Sequence, residues 1–166
     1  MSTPSVIPPQ GRALEPGERE SLLDDIEELI HSSHLFKSLD DEGRRDLIES
    51  GYVVSYSEGE TLMKQGDVGS TMYLVMSGSV SVETDKGAGG SIHLAELGRG
   101  ACVGEVGVLT GSPRTATVKA LSDVKVVALE KHRIARVLDD HPKVRRLLEG
   151  IIEGRARDTV EKLIGS

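Results

Sequence analysis

The sequence predicts a mainly β fold with flanking helices: an antiparallel, jelly-roll-like β-roll with N-terminal helices before it and two C-terminal helices after it. Three observations predict it. Between residues 52 and 130, short runs rich in β-branched residues alternate with glycines, from Gly59, Gly66, Gly69 and Gly78 to Gly87, Gly89, Gly90, Gly98 and Gly100. That is the pattern of many short strands joined by tight turns. One run, SVSVET, alternates residue by residue, as a strand with one buried face does. On either side, apolar residues recur at steps of three and four, the spacing of amphipathic helices.

The elements follow in order. Residues 1–17 hold Pro4, Pro8, Pro9, Pro16, Gly11 and Gly17 with few large apolar groups, and are expected to form a disordered leader. Residues 18–51 are assigned to N-terminal helices. The first runs from Glu18 to Ser33 on the stripe Leu22, Leu23, Ile26, Leu29 and Ile30. The second runs from about Asp40 to Ser50, with Asp40 or Asp41 near its cap and Gly51 just past its end. The roll, residues 52–130, is expected to use strands at Tyr52–Ser57, Thr61–Gln65, Met72–Ser77, Ser79–Thr84, Ser91–Leu97, Thr115–Ala120 and Val124–Glu130. Residues 131–164 return to helical period, from Lys131 to about Asp139, a break at His141-Pro142, and Lys143 to about Lys162. In the last helix Gly150 and Gly154 each cost about 1 kcal/mol relative to alanine. They either permit close packing on one face or leave the helix marginal until something docks; both readings stand.

Composition narrows the function. The chain has 166 residues and a net charge of −7. Residues 1–50 carry 5 Lys and Arg against 12 Asp and Glu, and no stretch forms the dense basic face that nucleic acid requires. The lone Cys102 permits no disulfide within the chain and suits a reducing compartment, and no apolar run reaches the length of a membrane span or signal peptide. A cytoplasmic module is expected. His31, His34, His93, His132 and His141 are scattered, without the His-x-His of a metal-dependent β-roll oxygenase, so neither a metal nor a catalytic residue is assigned. Cys102 reads as a small buried residue rather than a nucleophile.

The stretch GEVGVLTGSPRTATV, residues 104–118, sets one acid, Glu105, and one base, Arg114, in a small, apolar run. From these two residues alone, a surface ion pair worth about 0–1 kcal/mol and two jaws of a binding site weigh equally. Context separates them. EGETLMKQGDVGSTMYLVMSGSVSV (58–82), with its G-D-x-G turn, and GEVGVLTGSPRTATVKA (104–120) resemble, in order and spacing, the strand block and phosphate-binding cassette of the cyclic nucleotide-binding domain family. HLFKSLDDEGRRDLIESG (34–51) resembles the helix pair that precedes the family's roll, and the resemblance covers roughly residues 30–160.

The resemblance implies a cassette over residues 103–118 that binds a 3′,5′-cyclic nucleotide through Gly104, Glu105, Val106, Gly107, Arg114 and Thr115. It implies that Arg114 meets the phosphodiester, whose two exocyclic oxygens match its planar fork. Backbone amides from Gly104 onward assist. Gly104 and Gly107 lack a Cβ and so permit close backbone approach, while Glu105 accepts the ribose 2′-hydroxyl. Thr115 stands where several cGMP-responsive members carry threonine, within reach of the guanine amino group. One neutral hydrogen bond, about 0.5–1.5 kcal/mol, does not decide the base, and threonine is also an ordinary strand residue. cAMP is expected ahead of cGMP. Val103 departs from the family's usual aromatic and Gly107 from its usual alanine; neither removes a polar contact.

In the family the last helix closes the pocket, which makes Leu148, Ile151, Ile152 and Arg155 lid candidates. The bland readings are a core or dimer stripe for the first three and a solvated charge for Arg155. The expected function is a ligand-binding regulatory module without catalysis, whose C-terminal helix shifts on binding. A catabolite-activator-type transcription regulator needs a helix-turn-helix after the long helix, and only 24 residues follow Pro142. The alternatives are a sensor excised from a larger channel, kinase or transcription regulator, or a non-binding interaction scaffold. Expected partners are the nucleotide itself and either a second copy or a downstream effector protein, with no nucleic acid.

Overall fold

The computed structural model describes residues 11–25, 30–31, 33–85, 90–143 and 145–146. Among the described residues, nine strands form two antiparallel sheets. The strands are β1 (Gly11–Arg12), β2 (Tyr52–Tyr56), β3 (Thr61–Met63), β4 (Thr71–Ser77), β5 (Val80–Asp85), β6 (Ser91–Leu97), β7 (Cys102–Val103), β8 (Thr117–Ala120) and β9 (Val124–Glu130). One sheet has the order β1-β2-β9-β4-β7 and the other β3-β8-β5-β6. The helices are α1 (Pro16–Asp24), α2 (His34–Ser38), α3 (Asp41–Glu49), α4 (Glu105–Thr110) and α5 (Lys131–Asp139). This is the β-roll with flanking helices that the sequence predicts.

Strand β9 explains how two cores arise. Val124, Val126 and Ala128 pack between the sheets with Val54, Leu62, Val80 and Val118. Val127 and Leu129, on the opposite face, join Leu35, Phe36, Leu47, Ile48 and Ile134 from the helices. Both faces are therefore apolar, as expected of a central strand covered on both sides.

Helix α3 begins where Asp40 accepts a hydrogen bond from the Gly43 N–H at 2.8 Å. It ends against β9, where a side chain at Gly51 would fall 2.4 Å from Val127 and 2.9 Å from the Ala128 carbonyl. Helix α2 precedes it, capped by Ser33 and buried through Leu35, Phe36 and Leu39.

At the N-terminus, residues 11–17, expected within a disordered leader, hold β1 and the start of α1. Gly11 and Arg12 pair with Val54 and Val53 on the edge of β2. The Arg12 guanidinium forks onto the Glu18 carboxylate at 2.5 and 2.6 Å. Pro16 starts α1 instead of preventing it, because the first helical position needs no amide donor. The helix expected over Glu18–Ser33 does not run through unbroken: α1 ends at Asp24, the backbone is helical at residues 30 and 31, and Ser33 is extended at φ −143° and ψ 121°. Arg99 meets the chain as it leaves α1, bonding Asp25 and the Ser21 hydroxyl.

Elsewhere the expected strands appear within a few residues of their predicted ends, and α5 occupies Lys131–Asp139 as predicted. The backbone is helical again at residues 142, 143, 145 and 146. The longer helix expected to continue to Lys162, with its lid candidates Leu148, Ile151, Ile152 and Arg155, lies outside the described residues.

Candidate functional site

The cassette is assembled by a reversal of the chain between β7 and β8. Gly104 follows β7 at φ +86°, a left-handed conformation that strains any side chain, and it turns the chain directly into α4. Gly111, at φ +75°, ends that helix. The returning segment is fastened to the turn after β3: the Arg114 N–H donates to the Asp67 carbonyl and the Gly66 N–H to the Arg114 carbonyl, both at 2.8 Å. This pairing fixes the arginine backbone and holds β8 from starting before Thr117, two residues later than predicted.

The Arg114 side chain is 6% exposed. Its Nη1 donates to the Gly104 carbonyl at 2.8 Å and its Nη2 to the Thr71 carbonyl. Three glycines make room for it. A side-chain carbon would meet Nη2 at 2.6 Å from Gly69, Nη1 at 2.8 Å from Gly104, and Nη1 at 2.9 Å from Gly107. Among the described residues no carboxylate pairs with this guanidinium. Burial therefore pushes its pKa below the ordinary arginine value, with Tyr73 acting in the opposite sense.

Glu105 opens α4 and is 8% exposed. Its Oε1 accepts from the Ser33 hydroxyl at 2.9 Å and from the Leu35 N–H at 2.7 Å. Acid and base thus have separate partners: the carboxylate faces the start of α2, and the guanidinium faces β4 and the glycine cage. Burial, together with the negative charge of Glu105, pushes the Cys102 thiol well above the usual range, with Ser33 acting in the opposite sense. A neutral thiol is a poor nucleophile.

Of the remaining predicted residues, Gly104 and Gly107 line the cage, and Val106 sits in α4 with its side chain outside the described residues. Thr115 is exposed, and its carbonyl accepts from the Thr84 hydroxyl at 3.2 Å. Thr84 and the Asp85 N–H also donate to the Gln65 side-chain oxygen, at 3.3 and 2.6 Å. Sequence reasoning assigned no site role to Ser33, Gly69, Thr71 or Gln65. Gly69 carried a signal, since it is the second glycine of the G-D-x-G turn; the others did not, because each is joined to the cassette only by folding. Among the described residues no cluster of three or more His, Cys, Asp and Glu could hold a metal ion, and no helix is long and apolar enough to cross a membrane.

Comparison with known proteins places this β-roll, with its glycine-caged arginine and buried glutamate on one short cassette, in a family. Residues 53–141 match the model of the cyclic nucleotide-binding domain, and the chain belongs to that family. It is 32% identical to a cAMP-dependent protein kinase regulatory subunit of Dictyostelium discoideum and 29% identical to one of Blastocladiella emersonii, each over 77% of this chain. It spans only 39% and 32% of those relatives' lengths. Among solved structures, it is similar to the N-terminal domain of a transcriptional regulator from Streptomyces coelicolor A3(2). The identity is 33% and the TM-score 0.66, over 79% of this chain and 94% of that one.

Proposed function

We propose that this chain is a regulatory module that binds cAMP, accepts cGMP, and performs no catalysis of its own. The observation that carries the reading is the buried, caged guanidinium of Arg114. Its partners are backbone carbonyls, with no anion among the described residues. Desolvating a cation costs several kcal/mol unless opposite charge compensates it. A cyclic phosphodiester supplies one negative charge on two oxygens, which suits an arginine fork. Glu105, the first residue of α4, is the acceptor for the ribose 2′-hydroxyl. Thr115, exposed beyond the arginine, faces the base. The names of the relatives support cAMP as the first ligand to test.

The regulatory output proposed is a shift of the C-terminal helix, with Leu148, Ile151, Ile152 and Arg155 covering the purine. Binding shifts a conformation only if one state binds more tightly than the other. Residues 143–162 should therefore slow in amide exchange when ligand is added; equal exchange with and without nucleotide would remove the lid from the account. The coverage of the Streptomyces domain favours a second setting, in which this unit is the sensor of a larger regulator.

Thermal unfolding tests the binding reading. A ligand that binds only the folded state stabilises it by about 2.7 kcal/mol at a hundredfold excess over Kd. cAMP at millimolar concentration should raise the melting temperature by several degrees, and 5′-AMP, which lacks the cyclic diester, should not. An equal shift with both, or with neither, would contradict it.

A further inference from the structure

Ser33 joins two things that are distant in sequence. Its hydroxyl oxygen accepts from the Phe36 N–H at 3.2 Å, which caps α2, and the same hydroxyl donates its proton to Glu105 at 2.9 Å. The residue is 1% exposed, so both bonds are shielded from bulk solvent. The Leu35 N–H, in the first turn of the same helix, reaches the same carboxylate oxygen at 2.7 Å. Glu105 is therefore held from outside its own cassette, by the head of a helix 70 residues earlier in the chain. A carboxylate has about four acceptor positions on its two oxygens, and both of these bonds fall on Oε1. The two bonds fix the carboxylate plane, which in an unanchored glutamate is free to rotate.

We propose that Ser33 is a positioning residue for Glu105: it orients the carboxylate toward the ribose, and discrimination between ribose and 2′-deoxyribose cyclic nucleotides depends on its hydroxyl. This rests on the reading of the cassette as a cyclic-nucleotide site. It adds a consequence that the cassette residues alone do not carry. Because one hydroxyl serves both Glu105 and the cap of α2, engagement of the 2′-hydroxyl is felt at the first residues of α2.

The experiment measures affinity for cAMP and 2′-deoxy-cAMP in the wild-type chain and in Ser33→Gly, Ser33→Ala and Ser33→Thr. Glycine caps a helix almost as well as serine, so Ser33→Gly removes the donor with little loss of α2. A hydrogen bond to a charged group makes the wild type about tenfold or more selective for cAMP. In Ser33→Gly and Ser33→Ala that ratio falls to about threefold or less, and Ser33→Thr, which keeps the hydroxyl, retains it. A merely structural serine would lower the melting temperature and leave the ratio alone; a folded Ser33→Gly with the wild-type ratio overturns the proposal while the binding reading stands. A wild type with no affinity for either nucleotide overturns both. A readout without substitution accompanies it: the Leu35 and Phe36 amide resonances should move further on saturation with cAMP than with 2′-deoxy-cAMP, and equal movement with the two also overturns it.

Discussion

At the scale of single residues, the site is a matter of which backbone positions lack a Cβ. Gly104 and Gly107 both abut the Arg114 guanidinium, yet they should respond differently to substitution. At Gly104 an alanine meets a left-handed backbone, at φ +86°, which costs about 1–2 kcal/mol. At Gly107 the backbone is not left-handed: an alanine meets Arg114 Nη1 at 2.9 Å and Cδ at 3.3 Å, side-chain atoms that can give by a few tenths of an ångström, and it recovers up to about 1 kcal/mol of helix propensity. Urea unfolding should therefore rank Gly104→Ala well below the wild type and Gly107→Ala close to it; the reverse order would mean the cage is not shaped as described. Glu105 and Arg114 were legible because the motif is contiguous. Their partners were not: Ser33 and Thr71 lie 72 and 43 positions away, and no local pattern encodes such a distance.

At the scale of elements, caps and end residues decide what the periodicity leaves open. Helix α3 was readable from Asp40, its apolar spacing and Gly51. Its cap predicts a loss of about 1 kcal/mol in Asp40→Ala, measured by chemical unfolding. Helix α2 has only five residues, too few for a period to register by itself, although Phe36 is fully buried in the core it shares with β9. Phe36→Ala should cost about 3–5 kcal/mol and loosen the segment that holds Glu105. A native-like melting curve for that variant would contradict this packing. The two-residue strands β1 and β7 were illegible for the same reason of length.

The β1–α1 strap adds a pH effect. The Arg12 guanidinium holds the Glu18 carboxyl down to about 2, against desolvation that acts the other way. A depressed carboxyl contributes stability that is present above its unfolded pKa, about 4.3, and is lost as pH falls through the folded value. Amides near the Glu15–Glu18 capping box should become less protected between about pH 4 and pH 2, and Arg12→Ala should reduce that dependence and move it toward higher pH, with the Glu15 N–H bond to Glu18 left in place. Both partners reach solvent, so the effect is local and weakens with salt.

For the whole molecule, β9 is the organising strand. It faces the second sheet on one side and α2, α3 and α5 on the other, and Val108 of the cassette joins the helices in the core on that second side, so cassette and helices form one packed body. Through that body Glu105 reaches α2 while Arg114 reaches β4, and the two ends of a bound nucleotide would engage separate elements. The roll was legible because glycine punctuation and β-branched runs are strong local signals. The junctions between roll and helices were not, since they rest on single side chains such as Ser33, Arg44 on the Phe36 carbonyl, and Arg133 on the Ser50 carbonyl. The central claim is that this body binds a cyclic nucleotide through Arg114. Calorimetric titration of the wild type and Arg114→Ala with cAMP and cGMP, side by side, tests it most directly. The account predicts saturable heat in the wild type and a loss of about 2–5 kcal/mol in the variant, roughly thirtyfold to several thousandfold in Kd, with the cAMP-to-cGMP ratio reporting on Thr115. Undiminished affinity in Arg114→Ala, or no heat from either nucleotide in the wild type, would contradict it.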